Sequence, residues 1–355
     1  VRSLYLACPS VRGPGGIAAY ARSWLDALAP TPVDVRGLGG PSLFELPPNA
    51  HDLGPAKTQP AFIAQFARDY LTRPPTVFVF AHVGLTFPLA LLPRRPDHRV
   101  LIIAHGFEVW SRLSRRRAAG LPRADSIAFT TRFSRALFLA GNGDRLAAEV
   151  QTPVIPLSAA RALEATTPFP TPTSPKRRCL FVGRLSLEEP LKGVSMLLRA
   201  ARWLAPESWE ITIIGDGDAR PKYQQEAAAL GVTDRVRFMG WVDDATRTQA
   251  LADSDVLCLP SAQEGFGIVF LEAMVAGRPC VGAAAGAIPE VLPAEAGETV
   301  PYEDDVALAQ ALQRTSDRLR QGAITPATIR RCYEQRFAWG RFRDAWRAHL
   351  SALQG

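Results

Sequence analysis

The chain is poor in lysine. Lys57, Lys176, Lys192 and Lys222 are its only lysines, so nearly all of its net charge of +7 rests on arginine. It has three methionines, five histidines and five cysteines among 355 residues. Cys8, Cys179, Cys258, Cys280 and Cys332 show no C-x-x-C spacing and are odd in number, so neither a zinc site nor a disulfide framework is supported. Cys258 and Cys280 stand in apolar runs and read as buried free thiols of a reducing compartment. No apolar run reaches the roughly 20 residues of a membrane-crossing helix. Val1–Ala7, with one basic residue, is too short for a signal-peptide core and reads as a first buried strand. These absences point to a cytoplasmic protein.

What is present is the make-up of an α/β protein of two domains, 47% hydrophobic and 21% charged. A pI of about 9.5 suits a nucleic acid, an anionic membrane or a phosphorylated substrate. No nucleic-acid module accompanies it, so no nucleic-acid partner is expected. Arg112, Arg115, Arg116, Arg117 and Arg123 cluster near Trp110 and Leu113. This cluster reads either as a solvated helix face or as a peripheral contact with an anionic membrane at its inner face.

Residues 161–178, dense in proline and threonine, read as a linker that is neither helix interior nor central strand. They separate a domain over 1–160 from one over 179–337, and a last helical stretch over 338–355 is expected to pack back on the first domain. Short buried strands (Leu4–Cys8, Val77–Ala81, Val100–Ala104 and Ser126–Phe129, then Leu180–Val182, Glu210–Ile214, Val236–Phe238, Val256–Leu259 and Pro279–Val281) alternate with helical patterns. This predicts two Rossmann-like, doubly wound parallel sheets facing each other across a cleft.

Chemistry-bearing residues gather where strands end. Ser261–Met274 sets Glu264 and Glu272 eight positions apart around Gly265-Phe266-Gly267-Ile268, at the change from strand to helix. The backbone N–H groups of such a turn suit an anion. Phe181-Val182-Gly183-Arg184-Leu185, with Lys192-Gly193 after it, brings a glycine and two cations to a strand end. They read as neutralisers of a diphosphate or as ordinary loop cations. Ile214-Gly215-Asp216-Gly217 is a turn after a strand, and Gly240-Trp241-Val242 offers backbone to a nucleobase edge or simply a rim aromatic. Gly13-Pro14-Gly15-Gly16-Ile17 allows close approach of a phosphate or sugar, without the full dinucleotide fingerprint. His105, at the end of an apolar strand, can donate to a sugar hydroxyl or meet a carbonyl oxygen; His82 also stands at a strand end.

Taken in order, these residues resemble the retaining nucleotide-sugar glycosyltransferases of family 4, which have the GT-B fold. The resemblance runs through most of the second half: Phe181–Leu185 with Lys192-Gly193, Ile214–Gly217, Gly240–Val242, Leu259–Ser261, Glu264–Glu272 and Gly286–Glu290. In the first half it rests on Gly15-Gly16, His105 and Thr130-Thr131. It implies an enzyme that moves a sugar from a nucleotide diphosphate sugar to a hydroxyl acceptor, a glycan, glycolipid or lipid-linked intermediate, with retention and without metal or other cofactor. Arg184 and Lys192 would grip the diphosphate, and Glu272 the ribose. Glu264 with the N–H groups of Phe266, Gly267 and Ile268 would hold the sugar. Gly15, Gly16, Gly183, Gly215, Trp241, Val242 and Gly265 would line the donor, with His105 near sugar and acceptor. The chain departs from the family in its long Leu185–Leu191 loop, in Ile155–Ala159 where an Asn-Gly pair is common, and in Ala284-Ala285-Gly286-Ala287 in place of paired glycines. Alternative readings are a catalytically silent sugar-nucleotide or glycan-binding subunit and a nucleotide-sugar epimerase, although no acid–base pair for the latter is evident.

Overall fold

A computed structural model describes residues 2–10, 15–39, 45–159 and 161–354. Val1 of the expected first strand and Gly13 and Pro14 of the expected glycine loop lie outside them. The chain forms two compact units: residues up to Leu157 together with those from Trp339 onward, and Ser158–Ala338.

The first unit holds strands β1 (Ser3–Cys8), β2 (Val33–Gly37), β3 (Ala50–Asp52), β4 (Thr76–Phe80), β5 (Arg99–Ala104) and β6 (Ser126–Phe129). They form one parallel sheet in the order β3-β2-β1-β4-β5-β6. The second unit repeats the design with β7 (Arg177–Val182), β8 (Trp209–Ile214), β9 (Val236–Gly240), β10 (Val256–Leu259), β11 (Cys280–Ala283) and β12 (Gly297–Val300). Its order is β12-β11-β10-β7-β8-β9, again all parallel. The central strands are buried on both faces, as their unbroken apolar runs require. In each sheet the chain builds outward on one side of its first strand and then restarts on the other. The reversal falls between β1 and β4 in the first unit and between β7 and β10 in the second. Ligands of open parallel sheets bind at the carboxyl ends of strands beside such a reversal.

The expected linker needs correction at both ends. Arg161–Glu164 makes one helical turn, and Arg177 and Arg178 already pair with Trp209 and Glu210 in β7. The last proline of the stretch is Pro175, and ladder pairing begins once every residue again has an N–H. The proline-rich segment between is tied to the second unit. Buried Arg278 donates to Pro170 O at 2.7 Å and to Ala252 O at 2.6 Å, and Phe169 N–H donates to Ala276 O at 3.1 Å.

Within the first unit the Trp339–Gln354 helix lies against the Gly16–Leu28 helix. Trp24 and Trp346 meet edge to face at 6.0 Å, and Arg347 Nε donates to Ala27 O at 3.0 Å. Arg123 departs from the solvated face expected for it: its guanidinium donates to the carbonyls of Leu89, Leu92 and Pro93 and so staples a loop. All five cysteines are free thiols, four of them buried.

In the second unit the Pro326–Phe337 helix supports the Ile268–Val275 helix. Arg330 donates to Val275 O at 3.1 Å, and Phe337 meets Phe266 edge to face at 5.9 Å. The supporting helix starts on a reciprocal cap: Thr328 N–H donates to Thr325 Oγ1, and Thr325 N–H to Thr328 Oγ1. Thr325→Ala is expected to destabilise the protein by about 1 kcal/mol. An unchanged denaturant midpoint would show that the cap does not matter.

Candidate functional site

The reversal in the second sheet brings together the ends of β7 and β10, and Arg184, Lys192 and Glu264 come from the loops that follow these two strands. After β7, Gly183 N–H donates to Ile214 O at 3.0 Å; after β8, Gly215 N–H donates to Gly240 O at 2.9 Å. Gly215 has φ of 141°, and a Cβ there would lie 1.8 Å from Gly183 O. Three strand-end loops can therefore stack only because this residue has no side chain. Arg184 leaves this edge exposed, its Nη1 3.3 Å from Glu189 Oε1.

The Leu185–Leu191 loop returns to the end of β10. Leu191 O accepts from Ala262 N–H at 2.8 Å and from Ser261 Oγ at 3.1 Å. This carries Lys192 over the turn. Its Nζ lies 3.0 Å from Glu264 Oε2 and 3.8 Å from Glu189 Oε2, with the Lys192 and Glu264 side chains 20% and 14% exposed. The other Glu264 oxygen accepts from Gly267 N–H at 3.0 Å, and its backbone O accepts from Ala287 N–H at 2.9 Å. Gly267, in the left-handed region at φ 77°, is the N-cap of the Ile268–Val275 helix. Phe266 is buried, which anchors the turn from below. One N–H of the expected sugar cradle is thus already occupied by Glu264.

Glu272 and Glu264 do not share a partner. Glu272 lies inside the helix, 6% exposed, and its Oε1 is 3.4 Å from Arg247 Nη1. Burial pushes its carboxyl above the usual range, Arg247 pulls it back down, and Asp244 adds a smaller upward push. Trp241 is 74% exposed and Val242 half-buried, both following β9. Glu189 and Arg247 were missed by sequence reading. Glu189 had one usable signal, its place three residues before Lys192 on a single turn. Arg247 had none among so many arginines.

In the first unit His105 follows β5. Its Nε2 is 2.8 Å from Ala81 O, and a carbonyl oxygen only accepts, so Nε2 carries the hydrogen and Nδ1 remains an acceptor. Its backbone N–H donates to Glu108 Oε1 at 2.6 Å, and Thr130 Oγ1 donates to its carbonyl at 2.9 Å. Burial holds His105 below the usual histidine range, with Glu108 and the Ala81 bond opposing, so the ring is neutral at pH 7. His82, after β4, accepts from Gly84 N–H at 3.0 Å; it too is held down chiefly by burial, with Glu108 opposing and Arg117 adding a smaller lowering. Gly15 has φ of 103° and caps the Gly16–Leu28 helix, and among the described residues nothing lies within 4 Å of where a Gly16 Cβ would be. Among the described residues no three His, Cys, Asp or Glu side chains gather as metal ligands would, and no helix is long and apolar enough to cross a membrane.

Comparison with known proteins bears on the fold and on the sequence of the second unit. Residues 176–318 match the family described as glycosyl transferases group 1. The phosphatidyl-myo-inositol mannosyltransferase of Mycobacterium leprae is 41% identical over 137 residues, 38% of this chain and 35% of that protein. Its counterpart in Mycolicibacterium smegmatis is 39% identical over 160 residues, 43% and 40% of the two chains. The matched region thus spans well under half the length of these curated relatives. Anabaena HepE, solved in complex with UDP, superposes with a TM-score of 0.78 over 99% of this chain and 100% of that one, at 19% identity. The chain therefore has the GT-B fold, and the sequence of its second unit, over residues 176–318, is similar to that of the group 1 glycosyl transferases.

Proposed function

We propose that this protein transfers a sugar from a nucleotide diphosphate sugar to a hydroxyl acceptor with retention of anomeric configuration. The observation that carries the reading is the meeting of Lys192, Glu264 and the Gly267 N–H at the β7–β10 reversal. Arg184 and Lys192 receive the donor diphosphate, taking it in exchange for Glu189 and Glu264, and stabilise the charge that grows on it as the anomeric C–O bond breaks. Glu264, released from Lys192, accepts from the sugar hydroxyls. Glu272 accepts from the ribose hydroxyls, and Trp241 and Val242 border the base. The acceptor oxygen bonds to the anomeric carbon on the face the leaving group vacates, and its proton passes to the departing phosphate oxygen. Within the first unit, His105 Nδ1 accepts from an acceptor hydroxyl, and Gly15 and Gly16 leave room for a phosphate. The chemistry asks for no metal.

The acceptor in this reading is a glycan, glycolipid or lipid-linked intermediate. The exposed Arg115, Arg116 and Arg117 support a peripheral contact with an anionic membrane, while Arg112 is already paired with Asp144 at 2.7 Å.

A donor screen tests the proposal. UDP-, GDP-, ADP- and dTDP-sugars are expected to include one that raises the melting temperature, since a ligand at 100 times its Kd adds about 2.7 kcal/mol. The same donor should release nucleoside diphosphate slowly in water and faster with a hydroxyl acceptor. Stabilisation with no turnover for any donor and acceptor would leave a silent binding subunit instead.

A further inference from the structure

Glu272 is an ionisable group in the middle of a buried helix face, and a carboxylate so desolvated ionises near neutrality only beside a cation. The cation against it is Arg247, at 3.4 Å, on the Asp244–Asp253 helix. That helix begins two residues after Val242, with Asp243 as its cap. Arg247 is therefore tied to the same strand-end loop that carries Trp241. Its Nη2 also donates to Asp244 Oδ1 at 3.0 Å, but Asp244 is almost fully exposed and holds it weakly. The charged groups on the other elements around the Ile268–Val275 helix are engaged elsewhere. Arg330 donates to Val275 O and Thr166 O and pairs with Glu334, and Lys192 pairs with Glu264. Glu164, on the Arg161–Glu164 turn, accepts from Arg330 through its carbonyl.

We propose that Arg247 is a positioning residue for the donor: it keeps the Glu272 carboxylate ionised and turned toward the ribose hydroxyls. The proposal rests on the reading of Glu272 as the ribose ligand. A hydroxyl donates well to a carboxylate and poorly to a neutral carboxyl that has its own proton to place. Removing Arg247 lets burial push the Glu272 carboxyl further up, so donor affinity is lost as the pH falls through the new value and recovered above it.

The experiment titrates the full chain with UDP, GDP and ADP by calorimetry and carries the tightest through Arg247→Ala, Arg247→Lys, Glu272→Gln and the double variant Arg247→Ala/Glu272→Gln, at pH 6 and pH 9. Glu272→Gln is expected to weaken binding about tenfold or more at both pH values. Arg247→Ala should weaken it about tenfold at pH 6, the effect of one pKa unit, and less than about threefold at pH 9, on the same basis. Arg247→Lys should stay within about threefold of the parent, and the double variant should bind no worse than Glu272→Gln alone. Parent-like binding by Arg247→Ala at pH 6 overturns the proposal. So does a loss that is equal at both pH values and adds to that of Glu272→Gln, because that pattern marks mere loosening of the helix. If Glu272→Gln binds like the parent, or no nucleotide binds, the ribose assignment itself fails and the proposal falls with it.

Discussion

Lys192→Ala is expected to lower kcat/KM for sugar transfer by about 10²–10³-fold, the effect of removing one well-placed charge or donor from a developing oxyanion. Lysine is rare in this chain, and this one is held at the β7–β10 reversal by two carboxylates, Glu264 at 3.0 Å and Glu189 at 3.8 Å. Without it, Arg184 is left as the one cation of the pair, still shared with Glu189, and Glu264 faces an incoming diphosphate unpaired, so both affinity and turnover fall. The fold should survive, because the loop carrying residue 192 is fixed by Leu191 O and the glycine that follows rather than by the ammonium. Steady-state kinetics with the best donor, together with a melting curve, would check this. Activity within about threefold of the parent would show that the diphosphate lies elsewhere, since the removed interaction is expected to cost ten times that or more.

Gly193→Ala is expected to cost at least about 3 kcal/mol of stability, from left-handed strain together with a backbone clash. Gly193 has φ of 82°, and an added Cβ would lie 2.0 Å from Pro260 O and 2.5 Å from Pro260 C. Neither atom belongs to a flexible side chain, so the loop must lift off the end of β10 and take Lys192 with it. Denaturant unfolding measures the stability loss, and donor titration of the surviving folded fraction measures the displacement of Lys192. The natural control is Gly16→Ala, where no described residue crowds the new methyl and the residue starts a helix. There stability should hold or rise by about 0.5 kcal/mol, while any loss of activity reports on a phosphate that needs the room. If Gly193→Ala unfolds at the parent's midpoint, the close packing of this loop on Pro260 is wrong.

Much of the framework was legible because it is written locally. The apolar runs of β1, β4, β5, β6, β8 and β10, most with a glycine some residues behind them, mark the strands to within one residue. Two of the four edge strands were harder to read, although β6 and β9, also at edges, were not, and the inner strand β2 went unread. β3 (Ala-His-Asp) and β12 (Gly-Glu-Thr-Val) have no apolar run, because an edge strand with solvent on one side has little to bury. The arginines misled in a different way. Arg123 stands in a basic cluster that suggests a solvated face, yet its partners are backbone carbonyls some thirty residues earlier in the chain.

The sequence alone determined the kinds of residue at the strand ends: Gly183 and Arg184, Lys192 and Gly193, Glu264 through Glu272, His105. Each depends on its immediate neighbours, which say where a strand stops and a helix starts. The tertiary structure decided who meets whom. Lys192 reaches Glu264, 72 residues later, only because β10 lies beside β7 in the sheet. Glu272 is matched by Arg247 rather than by Lys192, which pairs with Glu264, because burial inside its helix leaves it to whichever cation the neighbouring helix supplies. Sheet order and desolvation are properties of the folded chain as a whole, so no window of sequence, however well read, contains those pairings.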